Sequence, residues 1–429
     1  MTNEGHLKIC KAFWEVRAEM TAQSPIRLDP LHYPIGMRFR GSLTKGLLIA
    51  LAVTLIPVTA VSAQKITPGS TCKVLNQKVV YQNKTYTCTK SGKKLVWNKG
   101  VKVPTLTPSP SPTPKIEIVP TAPTSFADLE ANYKGIPNSV WADAEKLFAQ
   151  PLSTPIKVDV EKGESTKILY SYSEIEYGIS RAQQLGGNFP KQSKFLVVAF
   201  NFTDRDWAKT RLSTIASPFT LNDTFSDQVS VACSSQAECD SAFGNISLDS
   251  GLIIQGVSGL PNSSNTRTTT IRSHYAHETT HTIQKSIYKK YGLKRFSIPC
   301  WFSEGQPQVV GQTSGSANLS EYVMNRRSWL RPPLRGLPDF SEASINKFFD
   351  LQHQQPCDSE SRKHIYDIGF IAVEALASIG GISFTFDVLD KYASGMTFDQ
   401  AFEKVYGISW ANAKPILART VSKQFLEVR

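Results

Sequence analysis

At 429 residues the chain is long enough for two or three domains, and 41% hydrophobic with 10% aromatic side chains is a folded-protein composition that excludes disorder as its main state. Its 48 Lys and Arg against 36 Asp and Glu give a net charge of +12, an excess that suits attraction to anionic polymers. No nucleic-acid-binding motif accompanies the charge, so no nucleic-acid partner is expected.

Residues 1–63 read as an N-terminal extension ending in an export signal. The apolar run from Gly46 to Ala63 follows Arg38, Arg40 and Lys45 and closes on Val61-Ser62-Ala63, the small-x-small pattern of a signal-peptidase site. Cleavage is expected near Ala63. The stretch before Met37 makes the basic region far too long, whereas a start at Met37 gives a signal of normal proportions. A membrane partner follows only if the signal stays uncleaved, and Pro57 near the end of the run suits a cleavage region better than a span.

Of the seven cysteines, Cys10 falls in the segment expected to be removed, which leaves six. An even number in an exported chain favours disulfides, and proximity favours pairing Cys72 with Cys88, Cys233 with Cys239, and Cys300 with Cys357. No pair has CxxC spacing, so metal ligation by cysteine is the weaker reading.

Residues 64–102 form a small Lys-rich module. Strand-like runs at Val79-Val80-Tyr81 and Thr85-Tyr86-Thr87 around Asn83-Lys84 predict a hairpin stapled by Cys72 and Cys88, because so few residues bury little core without a covalent link. The lysines offer two readings: a solubilising surface, or contact with an anionic cell-wall polymer. Residues 103–124 are rich in Pro, Thr and Ser, as in Pro108-Ser109-Pro110-Ser111-Pro112, and predict an extended spacer.

Residues 125–429 suit one α+β domain. Helical spacing runs from Ser125 to Phe148, strands are expected at Ile156–Val160, Phe195–Phe200 and Leu252–Val257, and a helix at Tyr172–Leu185. From Ile271 the pattern is helical almost to the end. Strands first and helices afterwards predict two lobes, an N-terminal mixed α/β lobe and a C-terminal helical one.

The helical part opens on His277-Glu278-Thr279-Thr280-His281, an HExxH pentapeptide within a helix expected from Ile271 to Tyr291. Residues four apart share a helix face, so both imidazoles can hold one Zn²⁺ while Glu278 serves as general base towards the attacking water. A catalytic zinc needs a third protein ligand, and Glu304 in Trp301-Phe302-Ser303-Glu304-Gly305 is the candidate. Gln308, one turn later, is a candidate orienter of a ligand histidine. Pro307 is tolerated if its helix starts at about Ser303, where the missing N–H costs nothing. His274 reads as a structural histidine, and Arg326, Arg327, Arg331 and Arg335 as a solvated loop or a cleft lining for acidic substrates.

HETTH, WFSEG, the stretch Tyr366-Asp367-Ile368-Gly369-Phe370, and the tail Gly395-Met396-Thr397-Phe398-Asp399-Gln400-Ala401-Phe402 with Tyr406-Gly407-Ile408-Ser409 together resemble the gluzincin branch of zinc metallopeptidases, peptidase MA-like with a thermolysin-like catalytic core. The resemblance implies a zincin-like two-lobed fold, His277, His281 and Glu304 as metal ligands, Glu278 as base, and Tyr366 as hydrogen-bond donor to the oxyanion; read from the residues alone Tyr366 is equally a core aromatic, and His364, two residues earlier, is a competing donor. It also implies a zinc-dependent peptidase acting on peptide or protein substrates, which the export signal and the Lys-rich module make secreted or cell-wall associated. The chain lacks the Gly-x-Met-Glu-Asn sequence of the aminopeptidases, which favours an endopeptidase. Two other readings stand beside it: a cell-wall-associated binding protein with a degenerate metallopeptidase domain, and a zinc amidase acting on wall material.

Overall fold

The computed structural model describes residues 65–103, 119–215, 222–248, 250–259, 267–293, 298–334, 337–354 and 364–429. The expected export signal, Met37, Cys10, most of the Pro-rich spacer, Arg335 and Cys357 lie outside the described residues. Among the described residues two compact units divide the chain, with the boundary at Ile118 and Val119 near the end of the spacer.

The first unit is an antiparallel sheet of β1 (Lys78–Tyr81), β2 (Lys84–Ser91), β3 (Lys94–Trp97) and β4 (Val101–Lys102). β2 pairs with the other three. Gln82 and Asn83, with φ of 47° and 59°, make the two-residue left-handed turn that joins β1 to β2. The expected turn therefore sits one residue earlier, and Lys84 opens β2. Tyr86 and Cys88 are buried, and Cys88 is bonded to Cys72. So thin a core relies on that cross-link, a type worth about 2–4 kcal/mol.

In the second unit the helical spacing from Ser125 is broken into α1 (Phe126–Leu129) and α2 (Ile136–Phe148). Pro137, at the start of α2, has no N–H with which to continue an earlier helix, so it begins a new one. A mixed sheet follows in the order β5 (Lys157–Lys162), β6 (Lys194–Phe200), β8 (Gly251–Gly256), β7 (Ala242–Ile246). β5, β6 and β8 are parallel, which requires crossovers; α3 (Tyr172–Leu185) supplies the first, and α4 (Arg205–Ser213) and α5 (Asn222–Ala232) lie in the second. Strand alternation sends Val197 and Ile253 to a core with Ile175, Ile179, Ile271 and Tyr275. Val198, Phe200, Leu252 and Ile254 pack on the opposite face with Leu212 and Val229. The Cys233–Cys239 disulfide closes the passage from α5 to β7, as expected from its short spacing.

The rest is helical: α6 (Thr268–Lys290), α7 (Cys300–Gly315), α8 (Leu319–Trp329), α9 (Glu342–Gln354), α10 (Asp367–Gly380), α11 (Ile382–Ala393), α12 (Phe398–Tyr406) and α13 (Trp410–Glu427). The α+β class is the one read from sequence. Cys300 is also disulfide-bonded, and its expected partner Cys357 lies outside the described residues. α10 is buried on nearly every side. Within this core Glu374 is fully buried and accepts from Arg326 Nε at 2.7 Å and from the Tyr322 hydroxyl at 2.6 Å. Arg326 is thus a structural cation, not part of a solvated loop or a cleft lining. Among the described residues no single helix is long and apolar enough to cross a membrane.

Candidate metal centre

α6 runs as one unbroken helix, since nothing between Thr268 and Lys290 is Pro or Gly, and Lys289 and Lys290 oppose the negative end of its dipole. His277 and His281 therefore share a face, with ring centroids 4.9 Å apart and Nε2 atoms 3.2 Å apart. α7 brings Glu304 to the same point: its Oε2 lies 3.5 Å from His277 Nε2 and 3.3 Å from His281 Nε2. Bonds of about 2.0–2.1 Å to a tetrahedral ion set ligand atoms about 3.3 Å apart. The three atoms have that spacing already, and two imidazoles with one carboxylate are a donor set that fits a divalent metal ion.

Charge in the group is mutual. Burial opposes a charge on His281, but Glu304 and, behind it, Glu278 outweigh that cost and raise its pKa. Burial likewise opposes the carboxylate of Glu304, yet the charge of His281 and hydrogen bonds from both histidines hold its pKa far below the usual range. The centre thus holds a partly buried carboxylate, its side chain 15% exposed, placed to neutralise a cation.

Close helix packing places Glu304, the third candidate ligand. A Cβ on Gly305 would fall 2.3 Å from Gly369 O, and one on Gly369 would fall 2.4 Å from Trp301 O. α7 and α10 thus cross backbone to backbone beside Glu304, which explains the glycine that follows each of WFSE and YDI. The same crossing brings the buried Tyr366, at the start of α10, to 6.2 Å between ring centroids from His277.

His364 is held elsewhere. Its Nδ1 lies 3.1 Å from Asp367 Oδ1 and its Nε2 2.8 Å from Leu334 O, so both ring nitrogens face acceptors outside the centre. Of the two oxyanion-donor candidates, Tyr366 is the one placed beside His277. His274 ties α6 to the sheet, with Nε2 at 2.7 Å from Gln255 Oε1.

Pro307 is not in a first turn, because α7 begins at Cys300 and carries the proline inside the helix. Its missing N–H leaves the carbonyl of Ser303 without the usual bond from four residues on. Gln284 occupies that carbonyl: its Nε2 donates to Ser303 O at 2.9 Å and to Gln306 Oε1 at 2.9 Å. The amide oxygen of Gln284 faces His281 Nδ1 at 2.8 Å. With both Nε2 contacts donating, Oε1 accepts, so the neutral His281 ring keeps its proton on Nδ1 and leaves the Nε2 lone pair for a metal ion that displaces the Nε2 proton. Gln306 continues the chain by donating to Thr385 Oγ1 at 2.8 Å.

The orienting role read for Gln308 thus belongs, for His281, to Gln284. Gln308 is buried with its Nε2 unpartnered. Gln284 was legible as a residue three positions after His281 on the same helix face. Its link to Pro307 was not, since only the fold brings the two helices together. Gln284→Leu is expected to weaken divalent-metal binding by about 10–100-fold, the usual cost of losing a partner of a ligand histidine. Pro307→Ala, by restoring an N–H that competes for Ser303 O, is expected to weaken it in the same direction without lowering the melting temperature of the metal-free chain. Competition with a chromogenic chelator measures both; unchanged affinity in both variants would refute the linkage.

β7 supplies the remaining contact. Gly244 donates its N–H to Glu278 Oε2 at 2.6 Å, and its carbonyl accepts from Lys285 Nζ at 2.6 Å. A Cβ at this position would lie 1.9 Å from Glu278 O, so only glycine allows strand and helix to meet here. One oxygen of the Glu278 carboxylate is thereby fixed by a backbone donor. β7 is absent from the strands expected from sequence, because Gly244 and Asn245 interrupt an otherwise short apolar run.

No protein-family model, curated protein or solved structure matches the chain, so the reading of this centre stands on its own residues.

Proposed function

We propose that the chain is an exported, zinc-dependent metallopeptidase of gluzincin type, with a zincin-like catalytic unit that hydrolyses peptide bonds, most often internal ones. The observation that carries the proposal is the ligand-spaced group of His277, His281 and Glu304 with Glu278 on the same helix, fixed by Gly244. The two-lobed order of sheet and helices supports the family resemblance. Disulfides in the described residues fit an oxidising, extracellular setting. Zinc is the proposed ion because two imidazoles and one carboxylate leave a tetrahedral position open to substrate and water.

When bound, zinc supplies Lewis-acid polarisation and lowers the pKa of water towards neutrality. The chain's own residues do the rest. Glu278 accepts the proton of the attacking water and returns it to the leaving amine nitrogen, the two-way use of one carboxylate that peptide hydrolysis requires. The Gly244 N–H holds one oxygen of that carboxylate and so limits its rotation. Tyr366 is the proposed donor to the oxygen on which negative charge develops, since a neutral phenol O–H stabilises an oxyanion more than it stabilises a carbonyl. Gln284 keeps the His281 ring in the tautomer that binds metal.

The test is cleavage of a mixed peptide library by residues 64–429. Cleavage that stops on chelation and returns with one equivalent of zinc is the expected result. Cleavage indifferent to chelation, or none from zinc-loaded protein, would overturn the proposal.

A further inference from the structure

The positive charge of the chain is not spread over it. Residues 65–102 contain nine lysines, no arginine, no aspartate and no glutamate, whereas residues 103–429 contain 32 basic and 32 acidic side chains. The first unit therefore holds most of the net charge of +12, and the second is neutral. Every one of the nine lysines is exposed.

Their placement follows from the register. Opposed residues in a sheet share a face, and alternate residues along a strand share one too. Lys84 lies directly opposite Lys102, and Lys90 is on the same face of β2. Lys78 is opposite Thr87 and Lys94 opposite Ser91, which puts both on the other face. Directly opposed like charges destabilise a sheet. A unit with little core thus carries repulsion that contributes nothing to its own folding, and a bound polyanion relieves it.

The geometry points to a linear, phosphate-bearing polymer as the partner; we infer that residues 65–102 are a module that binds such a polyanion by charge density. Three features select this class. Lysines on both faces suit a flexible chain that wraps the module, while a bilayer meets one face at a time. Lysine without arginine suits recognition by charge density, not by bidentate geometry, and phosphate, with a charge on every repeat of such a polymer, is a group lysine commonly meets as a point charge. Single-stranded nucleic acid is disfavoured because none of the three aromatic side chains of the unit is fully exposed for stacking: Tyr86 is buried and Tyr81 and Trp97 are half-buried.

The experiment uses residues 64–429 and fluorescently labelled inorganic polyphosphate, titrated at several salt concentrations. One variant carries Lys→Gln at 78, 84, 90, 94 and 102; a control carries Lys→Gln at 157, 191, 194, 347 and 404, removing equal charge from the second unit. The expected result is at least a tenfold loss of affinity, with a shallower salt dependence, in the first variant and little change in the control. Thermal melts and Ellman titration of both verify that the Cys72–Cys88 unit stays folded. Equal losses in the two variants, absence of binding by the parent chain, or binding to vesicles of anionic phospholipid in preference to polyphosphate would each overturn the inference. None of these readouts depends on peptidase activity.

Discussion

Glu278→Gln is expected to lower peptide hydrolysis by about 10²–10⁴-fold, the range attributed to a positioned general base, while zinc stoichiometry stays at one per chain. The substitution is nearly isosteric, and an amide oxygen can still accept the Gly244 N–H that now meets Glu278 Oε2. What the amide lacks is basicity, so the loss falls on the proton transfers and not on the fold. A loss confined to kcat, with KM nearly unchanged, is the predicted signature. Activity retained within threefold, in protein of normal zinc content, would remove Glu278 from the mechanism; loss of zinc would make it a ligand or a structural support instead.

Glu304→Ala is the second large effect and acts on the metal itself. Glu304 provides the one carboxylate among the three candidate ligand groups, and its proximity raises the pKa of His281. Without it two neutral imidazoles remain, too few for the open three-ligand centre of a catalytic zinc. For the parent chain, free zinc at a hundred times Kd adds about 2.7 kcal/mol to stability by mass action. Glu304→Ala is expected to lose that gain; at a pH above the raised pKa of His281, where both imidazoles are neutral in either protein, its metal-free melting temperature should stay near that of the parent, and at lower pH it should fall below it as the His281–Glu304 pair is lost. Thermal melts of both proteins with and without zinc measure the difference. A variant that still gains stability from zinc at the same concentration would show that Glu304 is not a ligand.

Much of the fold was legible because local rules carried it. The helix Tyr172–Leu185 has the bounds its spacing predicts, and β5, β6 and β8 differ from expectation by one or two residues at their ends. The two near-neighbour disulfides follow from spacing alone. Local rules also placed His277 and His281 on one face, since helix geometry fixes the separation of residues four apart. Glu304 required the fold, and the glycine after it was the visible sign of a close helix crossing.

What was not legible depends on contacts between distant segments. Gly244 meets Glu278 from 34 residues upstream, on a strand whose composition does not announce itself. Arg326 reads as a surface residue beside Arg327 until Glu374, on α10, pairs with it in the core. Pro307 reads as a defect in the helix that bears Glu304. Its meaning lies in the partner it leaves for Gln284: a carbonyl freed by the proline is the anchor that fixes the tautomer of His281.

X-ray absorption at the zinc edge of the loaded chain examines the centre most directly. Two imidazoles with oxygen neighbours only, all at about 2.0–2.2 Å, is the shell expected from His277, His281 and Glu304 with an open position. A sulfur neighbour near about 2.3 Å, or an imidazole count other than two, would contradict it.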